Sequence, residues 1–322
     1  MKTILDHDIA APQAWIGDDL ADDVGLVTLD DTCLEELSGL SALLETNPLP
    51  VLSLHPDDFE LPHCKALMAQ VRAQLDQGVG FAIIDRLDTA SLAEDTATGL
   101  YWLLNSMIAR PVAQSWDGKM LYNVTDSGKE PGNGVRPDIT NVGQNLHTDN
   151  SYNLSPPDYV TLFCRQTAME GGVSELVSFG AAHNQMRVEA PDLLARLYED
   201  FTFDRQREHA PDDVMTIEHP LFTWDGNRLL GRLSKRQVHG GYALTGKTID
   251  NRGAAALEKL EAIMTAPGMR KEFHFHPGQI QVVNNKACGH ARTAFTDWPE
   301  PERHRNLTRM WLRHEGRAFY NG

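Results

Sequence analysis

Four absences narrow this sequence before any motif is considered. Its four cysteines, Cys33, Cys64, Cys164 and Cys288, contain no C-x-x-C pair, which excludes a disulfide framework and a cysteine-built zinc site and predicts buried thiols. Positive charge is scarce: 29 Lys and Arg stand against 45 Asp and Glu, a formal net charge of −16. Such a surface repels phosphate backbones and anionic lipid, so nucleic acid and membranes drop out as partners. No run approaches the ~18 apolar residues of a membrane-spanning helix, and Asp6, His7 and Asp8 interrupt the stretch where a leader would be apolar. A cytoplasmic location is the expectation. Repeats and low-complexity tracts are missing too. What is there, 41% hydrophobic and 23% charged residues, is the composition of a globular protein that builds its own core, with the oligomeric state left open, a homo-oligomer included.

At about 150 residues per domain, a chain of 322 residues makes either two domains or one β-rich enzyme domain carrying insertions. Residues 1–30 are acidic and weakly periodic and read as an arm lying on the surface or on a neighbouring subunit. Asp31-Thr32 can cap a helix carrying Leu34, Leu37, Leu40 and Leu43/Leu44 at helical spacing as far as Asn47-Pro48. Helices follow at 61–76 and 91–109, around a short apolar run from Val79 to Ile84 that has the pattern of a buried strand. Beyond Lys119 the chain turns to short strands, at 120–124, 158–165, 174–178, 201–203, 216–222, 228–233, 272–276, 279–283 and 307–312. Helical insertions interrupt them at 181–199 and within 235–266. Short strands separated by turn residues argue for a double sheet or barrel rather than a doubly wound parallel sheet. Residues 31–322 then form one α+β, mainly β domain. The Gly-rich segment 126–145 is either a lid or a plain loop.

Three pieces of this β region can carry chemistry. In His147-Thr148-Asp149 an imidazole and a carboxylate stand two residues apart, which on a strand places both on one face, able to converge on a cation. His55-Pro56-Asp57 repeats the spacing but reads as a helix-capping cluster. The strand at 279–283 runs on to His290, and a second histidine delivered at a strand end would complete a two-histidine, one-carboxylate set, which leaves ferrous iron with open positions. On the last strand Arg305, Leu307, Arg309, Trp311 and Arg313 alternate with Thr308, Met310 and Leu312. If the arginine face lines an interior it demands an anion, and a dicarboxylic cosubstrate would supply one through the planar guanidinium fork.

Taken in order, His147-Thr148-Asp149, Pro156-Pro157, Gly171-Gly172-Val173-Ser174, Asn285, His290-Ala291-Arg292-Thr293-Ala294-Phe295 and Arg305-Asn306-Leu307-Thr308-Arg309 resemble the TauD/TfdA group of Fe(II)- and 2-oxoglutarate-dependent dioxygenases. The resemblance implies a double-stranded β-helix (jelly-roll) core. It also implies that His147, Asp149 and His290 bind Fe(II), and that Arg305 pairs with the distal carboxylate of 2-oxoglutarate, helped by Ser174 unless that is an ordinary turn serine. Arg309 would bind an acidic group of the substrate or serve a structural ion pair. Arg303 rivals Arg305, because the loop before it is longer than in the taurine enzyme. No substrate pocket is legible; Asn145 and Tyr152, with Tyr122, Arg232 and Tyr242, are candidate wall residues.

The implied activity is the hydroxylation, with O2, of a C–H bond in a small polar, acidic substrate of amino acid, sulfonate or betaine type, coupled to conversion of 2-oxoglutarate into succinate and CO2. Related halogenases carry a small residue where Asp149 stands, so the aspartate points away from halogenation. Two other classes stay open on the residues alone: a jelly-roll metal-binding protein, and a non-oxidative cupin-like enzyme using zinc or manganese.

Overall fold

A computed structural model of the chain describes residues 3–130, 135, 137–209 and 212–320. A first short strand, β1 (Leu26–Thr28), leads into helix α1 (Asp31–Thr46). The Asp30 carboxylate, rather than Asp31 or Thr32, caps this helix by accepting from the Cys33 amide at 2.8 Å. Its buried stripe is Cys33, Leu37, Leu40 and Leu44, while Leu34 and Leu43 face out. α2 (Pro62–Gln77) starts with Pro at a position whose amide needs no partner and buries Cys64, Met68, Val71 and Leu75 at the same spacing. β2 (Phe81–Asp85) is the apolar run read from the sequence, and α3 (Glu94–Ile108) follows it.

The β region then opens with β3 (Arg110–Val112), β4 (Tyr122–Val124), β5 (Gln144–His147), β6 (Tyr159–Gln166), β7 (Glu170–Gly171) and β8 (Ser174–Ser178). The helical insertion expected at 181–199 is two helices, α4 (Phe179–Glu189) and α5 (Pro191–Leu197), broken where Pro191 cannot continue the ladder. After β9 (Phe201–Asp204), the strand expected at 216–222 is two, β10 (Thr216–His219) and β11 (Phe222–Trp224), because Pro220 interrupts it. β12 (Leu229–Gly231), α6 (Lys235–Thr245), α7 (Asn251–Met264) and β13 (Lys271–Phe273) come next, and β14 (Ile280–Asn284), β15 (Cys288–Arg292), β16 (Phe295–Thr296) and β17 (Asn306–Arg313) complete the order.

Among the described residues a seven-stranded sheet runs β1-β2-β14-β6-β17-β3, with β4 also paired to β17. Opposite it lies a four-stranded sheet, β13-β8-β15-β5. β1 and β2 are parallel and every other pair antiparallel. Strand alternation gives each sheet two different faces. Ile280, Val282, Met310 and Leu312 leave the large sheet on one side and join the apolar core formed with α1, α2 and α3. Val177 leaves the small sheet on its far side and joins a second core with α4, α5, α6 and α7. Between the sheets lie Phe81, Leu176, Val283 and Cys288 at one end and the polar residues described below at the other.

The first thirty residues are less of an arm than their composition suggests. Leu5 and Trp15 are buried, the Trp15 indole donates to the Val79 carbonyl at 2.8 Å, and β1 pairs in parallel with β2. Acidic residues there occupy the outward positions, which hides the buried ones from a composition count. All four cysteines are free and buried, as expected. No helix among the described residues is long and apolar enough to cross a membrane.

Candidate active site

His147 is the last residue of β5, and the register of the small sheet sets it directly opposite His290 on β15. Cross-strand partners are the closest side-chain neighbours a sheet provides. The two imidazole centroids lie 4.3 Å apart. His290 is thus at the centre of a strand rather than beyond the end of one, and a register shift between His290 and Arg292 turns the strand locally. Asp149 reaches the histidines differently from the expected strand alternation. β5 stops at His147, and the chain bends through Asn150, whose φ of 55° is left-handed.

That bend is fixed by Asn285. Its side-chain oxygen accepts from the Asp149 amide at 2.8 Å, and its Nδ2 donates to the carbonyls of Asp149 and Pro157 at 3.0 and 3.1 Å. The Asp149 carboxylate is then divided between two tasks. Oδ2 accepts from the Trp311 indole at 2.7 Å and pairs with Arg309 Nη1 at 3.2 Å. Oδ1 faces His147 Nε2 at 3.3 Å and His290 Nε2 at 3.4 Å. Burial works to raise the Asp149 carboxyl, but the Arg309 charge and the two imidazoles outweigh it and hold the group well below the usual carboxylate range. His147 Nδ1 lies 2.8 Å from the Asn145 carbonyl, which can only accept, so Nδ1 carries a proton. Burial, followed by the neighbouring His147, lowers the pKa of His290, favouring its neutral form. One ligand atom from each of His147, Asp149 and His290 lies within 4.8 Å of the other two.

Arg309 is held on three sides. It pairs with Asp149 and, at 3.4 Å, with Asp138, and its Nε donates to Gln114 Oε1 at 2.7 Å. Of the two roles open to it in the sequence, the ion pair is the one visible in the structure. Arg305 differs. Its amide donates to Asp297 and its guanidinium lies over the Phe295 ring, yet its buried Nη1 has no partner. Burial and the nearby Arg292 lower its pKa to about 10. The Gly171-Gly172 turn makes the room: both residues have positive φ, and a Cβ on Gly172 would sit 2.9 Å from Arg305 Nε. Arg303 is elsewhere, half-exposed and stacked 3.5 Å over the Trp298 ring.

Two spaces meet at the His147 and Asp149 side chains. The inner one, about 50 Å³, lies between the sheets and is lined by Ser174, Gln281, His290, Arg292, Arg305 and Arg309 with apolar walls from Val160, Leu162 and Leu307. The outer one is a cleft of about 460 Å³ along β5 and the start of α6, where Asn145, Tyr152, Lys235, Gln237, His239 and Trp311 line the walls. Tyr122 lies beside Arg309. Arg232 is instead spent on the carbonyls of Ser151 and Asn153, and Tyr242 packs on the second core.

The described part of 126–145 is tied down. Asp138 holds Arg309, and the carbonyls of Pro137, Thr140 and Val142 accept from Arg292. Residues 131–134 and 136, the centre of the expected lid or loop, lie outside the described residues. Sequence reading missed Trp311 and Gln281 as site residues, although strand parity already placed Trp311 with Arg309 and Gln281 with Val283.

The model of the taurine catabolism dioxygenase TauD, TfdA family matches residues 45–311. The chain belongs to this family. FR-33289 synthase of Streptomyces rubellomurinus is 26% identical over 297 residues, covering 90% of this chain and 86% of that protein. A taurine hydroxylase-like protein of Stachybotrys chartarum is 23% identical over 297 residues, covering 88% of this chain and 74% of its own length. Among solved structures, an asparagine oxygenase with Fe(II), 3-hydroxyasparagine and succinate superposes with a TM-score of 0.66 at 18% identity, covering 90% of this chain and 93% of that one. The non-heme iron oxygenase OrfP, solved with Fe and alpha-ketoglutaric acid, gives 0.67 at 13% identity over 90% and 94%. The double-stranded β-helix expectation is met. The chain is an iron- and 2-oxoglutarate-dependent oxygenase, which removes the metal-binding and non-oxidative cupin-like alternatives.

Proposed function

We propose that this oxygenase hydroxylates a C–H bond of a small polar substrate bearing an acidic group, with amino acids ahead of sulfonates and betaines, and releases succinate and CO2. The observation that carries the reading is the division of the Asp149 carboxylate: with Oδ2 bonded to Trp311 and Arg309, only Oδ1 remains to complete a set with the Nε2 atoms of His147 and His290. Two imidazole nitrogens and one carboxylate oxygen are a donor set that would fit Fe(II). His147, Asp149 and His290 would hold the iron. The metal, once bound with 2-oxoglutarate and O2, supplies the oxidising chemistry.

The protein's own part is binding, orientation and exclusion of water. The partnerless Nη1 of buried Arg305 fits the distal carboxylate of 2-oxoglutarate in the inner space, with Ser174 at the same wall. Val160, Leu162 and Leu307 give that space its apolar walls. The substrate would enter the outer cleft, whose size suits a small molecule. Asn145 and Tyr152 line it, Arg309 stands at its metal end and Lys235 at the helix α6 end. Preference for amino acids draws support from the relatives solved with 3-hydroxyasparagine and with (3S)-hydroxy-L-Arg.

The reading is tested without knowing the substrate. Metal-free protein given Fe(II) and then 2-oxoglutarate under anaerobic conditions should develop a visible charge-transfer band that is absent in His147→Ala and weaker in Arg305→Ala. Amino acids, sulfonates and betaines are then ranked by succinate release. Iron binding with no band on adding 2-oxoglutarate overturns the reading.

A further inference from the structure

Gln281 is the second residue of β14, in the buried run Ile280-Gln281-Val282-Val283. Ile280 and Val282 point into the helical core, so Gln281 points the other way, into the space between the sheets. There it meets Ser174 of the opposite sheet, whose hydroxyl donates to Gln281 Oε1 at 2.9 Å. A serine hydroxyl has one proton, and this contact uses it. The same contact turns the carboxamide so that its Nε2 is left over. Gln281 is 1% exposed, and its Nε2 has no partner. Among the described residues Arg305 Nη1 and Arg292 Nε, on the walls of the same inner space, are guanidinium donors likewise without a partner.

Buried donors without acceptors are rare in a folded protein, and three around one small space call for a ligand rich in acceptor oxygens. Among the described residues no carboxylate lining that space reaches these donors: Asp149 is taken by Trp311, Arg309 and the histidines, and Asp138 pairs through Oδ2 with Arg309 while its Oδ1 bonds none of the three.

We propose that Gln281 is a 2-oxoglutarate-binding residue, its Nε2 donating to the distal carboxylate beside Arg305, and that Ser174 is the positioning residue that orients the Gln281 amide rather than a direct ligand of that carboxylate. This rests on the reading of the inner space as the cosubstrate site. Arg305 supplies the charge and Gln281 a neutral second donor, so the two oxygens of one carboxylate are satisfied without adding a further buried cation. The amide also crosses between the sheets through Ser174, which ties the width of the space to the length of the oxo acid it accepts.

The test uses the full chain loaded with Fe(II) under anaerobic conditions, titrated with 2-oxoglutarate and followed by the visible band, beside thermal unfolding of each variant without 2-oxoglutarate. Gln281→Leu should weaken 2-oxoglutarate binding about tenfold or more, the size expected for losing a hydrogen bond to a charged group. Its preference for 2-oxoglutarate over 2-oxobutyrate, which lacks the distal carboxylate, should fall, read from the same visible band. Gln281→Glu should bind 2-oxoglutarate worse still while keeping its melting temperature, because the new carboxylate pairs with Arg305. Ser174→Ala should weaken binding by a smaller factor, and Ser174→Thr should restore it. The proposal is overturned if Gln281→Leu binds 2-oxoglutarate as wild type does while melting lower, or if Ser174→Ala outweighs Gln281→Leu. A wild-type protein that never binds 2-oxoglutarate is a different result, and overturns the cosubstrate reading itself.

Discussion

The two faces of β17 are built from alternate residues of one strand and answer to different physics. Met310 and Leu312 are completely buried against helices α1 to α3, in a core where the requirement is close packing. Arg309 and Trp311, one residue away on either side, are nearly as buried, but each is committed to a polar partner at Asp149. Burial alone therefore does not separate structure from function in this strand. The separation lies in what each side chain touches: the helical face spends burial on cohesion, while the inner face spends it on aiming a carboxylate oxygen.

Losing a ligand should break this comparison most severely. His147→Ala should abolish iron-dependent turnover and lower the iron content of purified protein below one per chain, with little change in melting temperature, because the side chain is at the rim of the outer cleft. Asp149→Ala should also lose iron and in addition destabilise the fold by about 3 kcal/mol, since the Arg309 charge is left buried without its nearer carboxylate. Equal melting temperatures for these two variants would show that the inner face does not carry that cost.

The helical face should give the reverse pattern. Met310→Ala should cost about 2–5 kcal/mol by opening a cavity in the first core, read as a lower denaturant midpoint, with turnover per folded molecule unchanged at low temperature. A loss of turnover as large as that of Asp149→Ala would mean that the two faces are coupled through the strand.

Between them stands Asn285, which touches no ligand atom but clamps the backbone on both sides of the Asp149 peptide unit. Asn285→Ala should lower iron affinity about 10- to 100-fold, as loss of a group that orients a ligand does, measured by competition with a chelator. The smallest effect is expected far from the site, at Glu36. This carboxylate of α1 caps α2 by accepting from the His63 and Cys64 amides, each at 2.9 Å. Burial works to raise its pKa, but those two amides and the His63 ring outweigh it and bring it to about 2. Because the folded value lies below the unfolded one, the contribution is complete above about pH 4.5 and is lost as the pH falls toward 2. Glu36→Gln should cost about 1 kcal/mol at neutral pH and flatten the acid limb of stability over that interval.

Much of this was legible in order along the chain. His147, Asp149 and His290 were legible as a candidate metal set because each sits in a short motif and the motifs follow one another in order, although His290 stands far from the other two along the chain. The three N-terminal helices were legible because their apolar residues repeat at helical spacing, although Cys33, not Leu34, leads the stripe of α1. Gln281 and Trp311 were harder to find. In a sequence, a glutamine in an apolar strand and a tryptophan among arginines carry no signal of which polar atom each will meet. Half-buried Arg232 was misleading for the same reason, since its partners are backbone carbonyls that any sequence could supply.

The sequence by itself determined the N-terminal helices, the longer core strands, the family and the identity of the iron-binding candidates, because each depends on periodicities and residue types confined to short stretches. Only the tertiary structure decided that His147 and His290 are cross-strand partners and that Arg309 is paired with Asp149 and Asp138 while Arg305 has a donor to spare. It also decided that the proton of Ser174 is already given to Gln281. Those facts depend on the register between strands more than a hundred residues apart and on competition among acceptors for a few buried donors. Neither is encoded at any one position; both arise when the sheets close on each other and water is no longer present to satisfy the remaining groups.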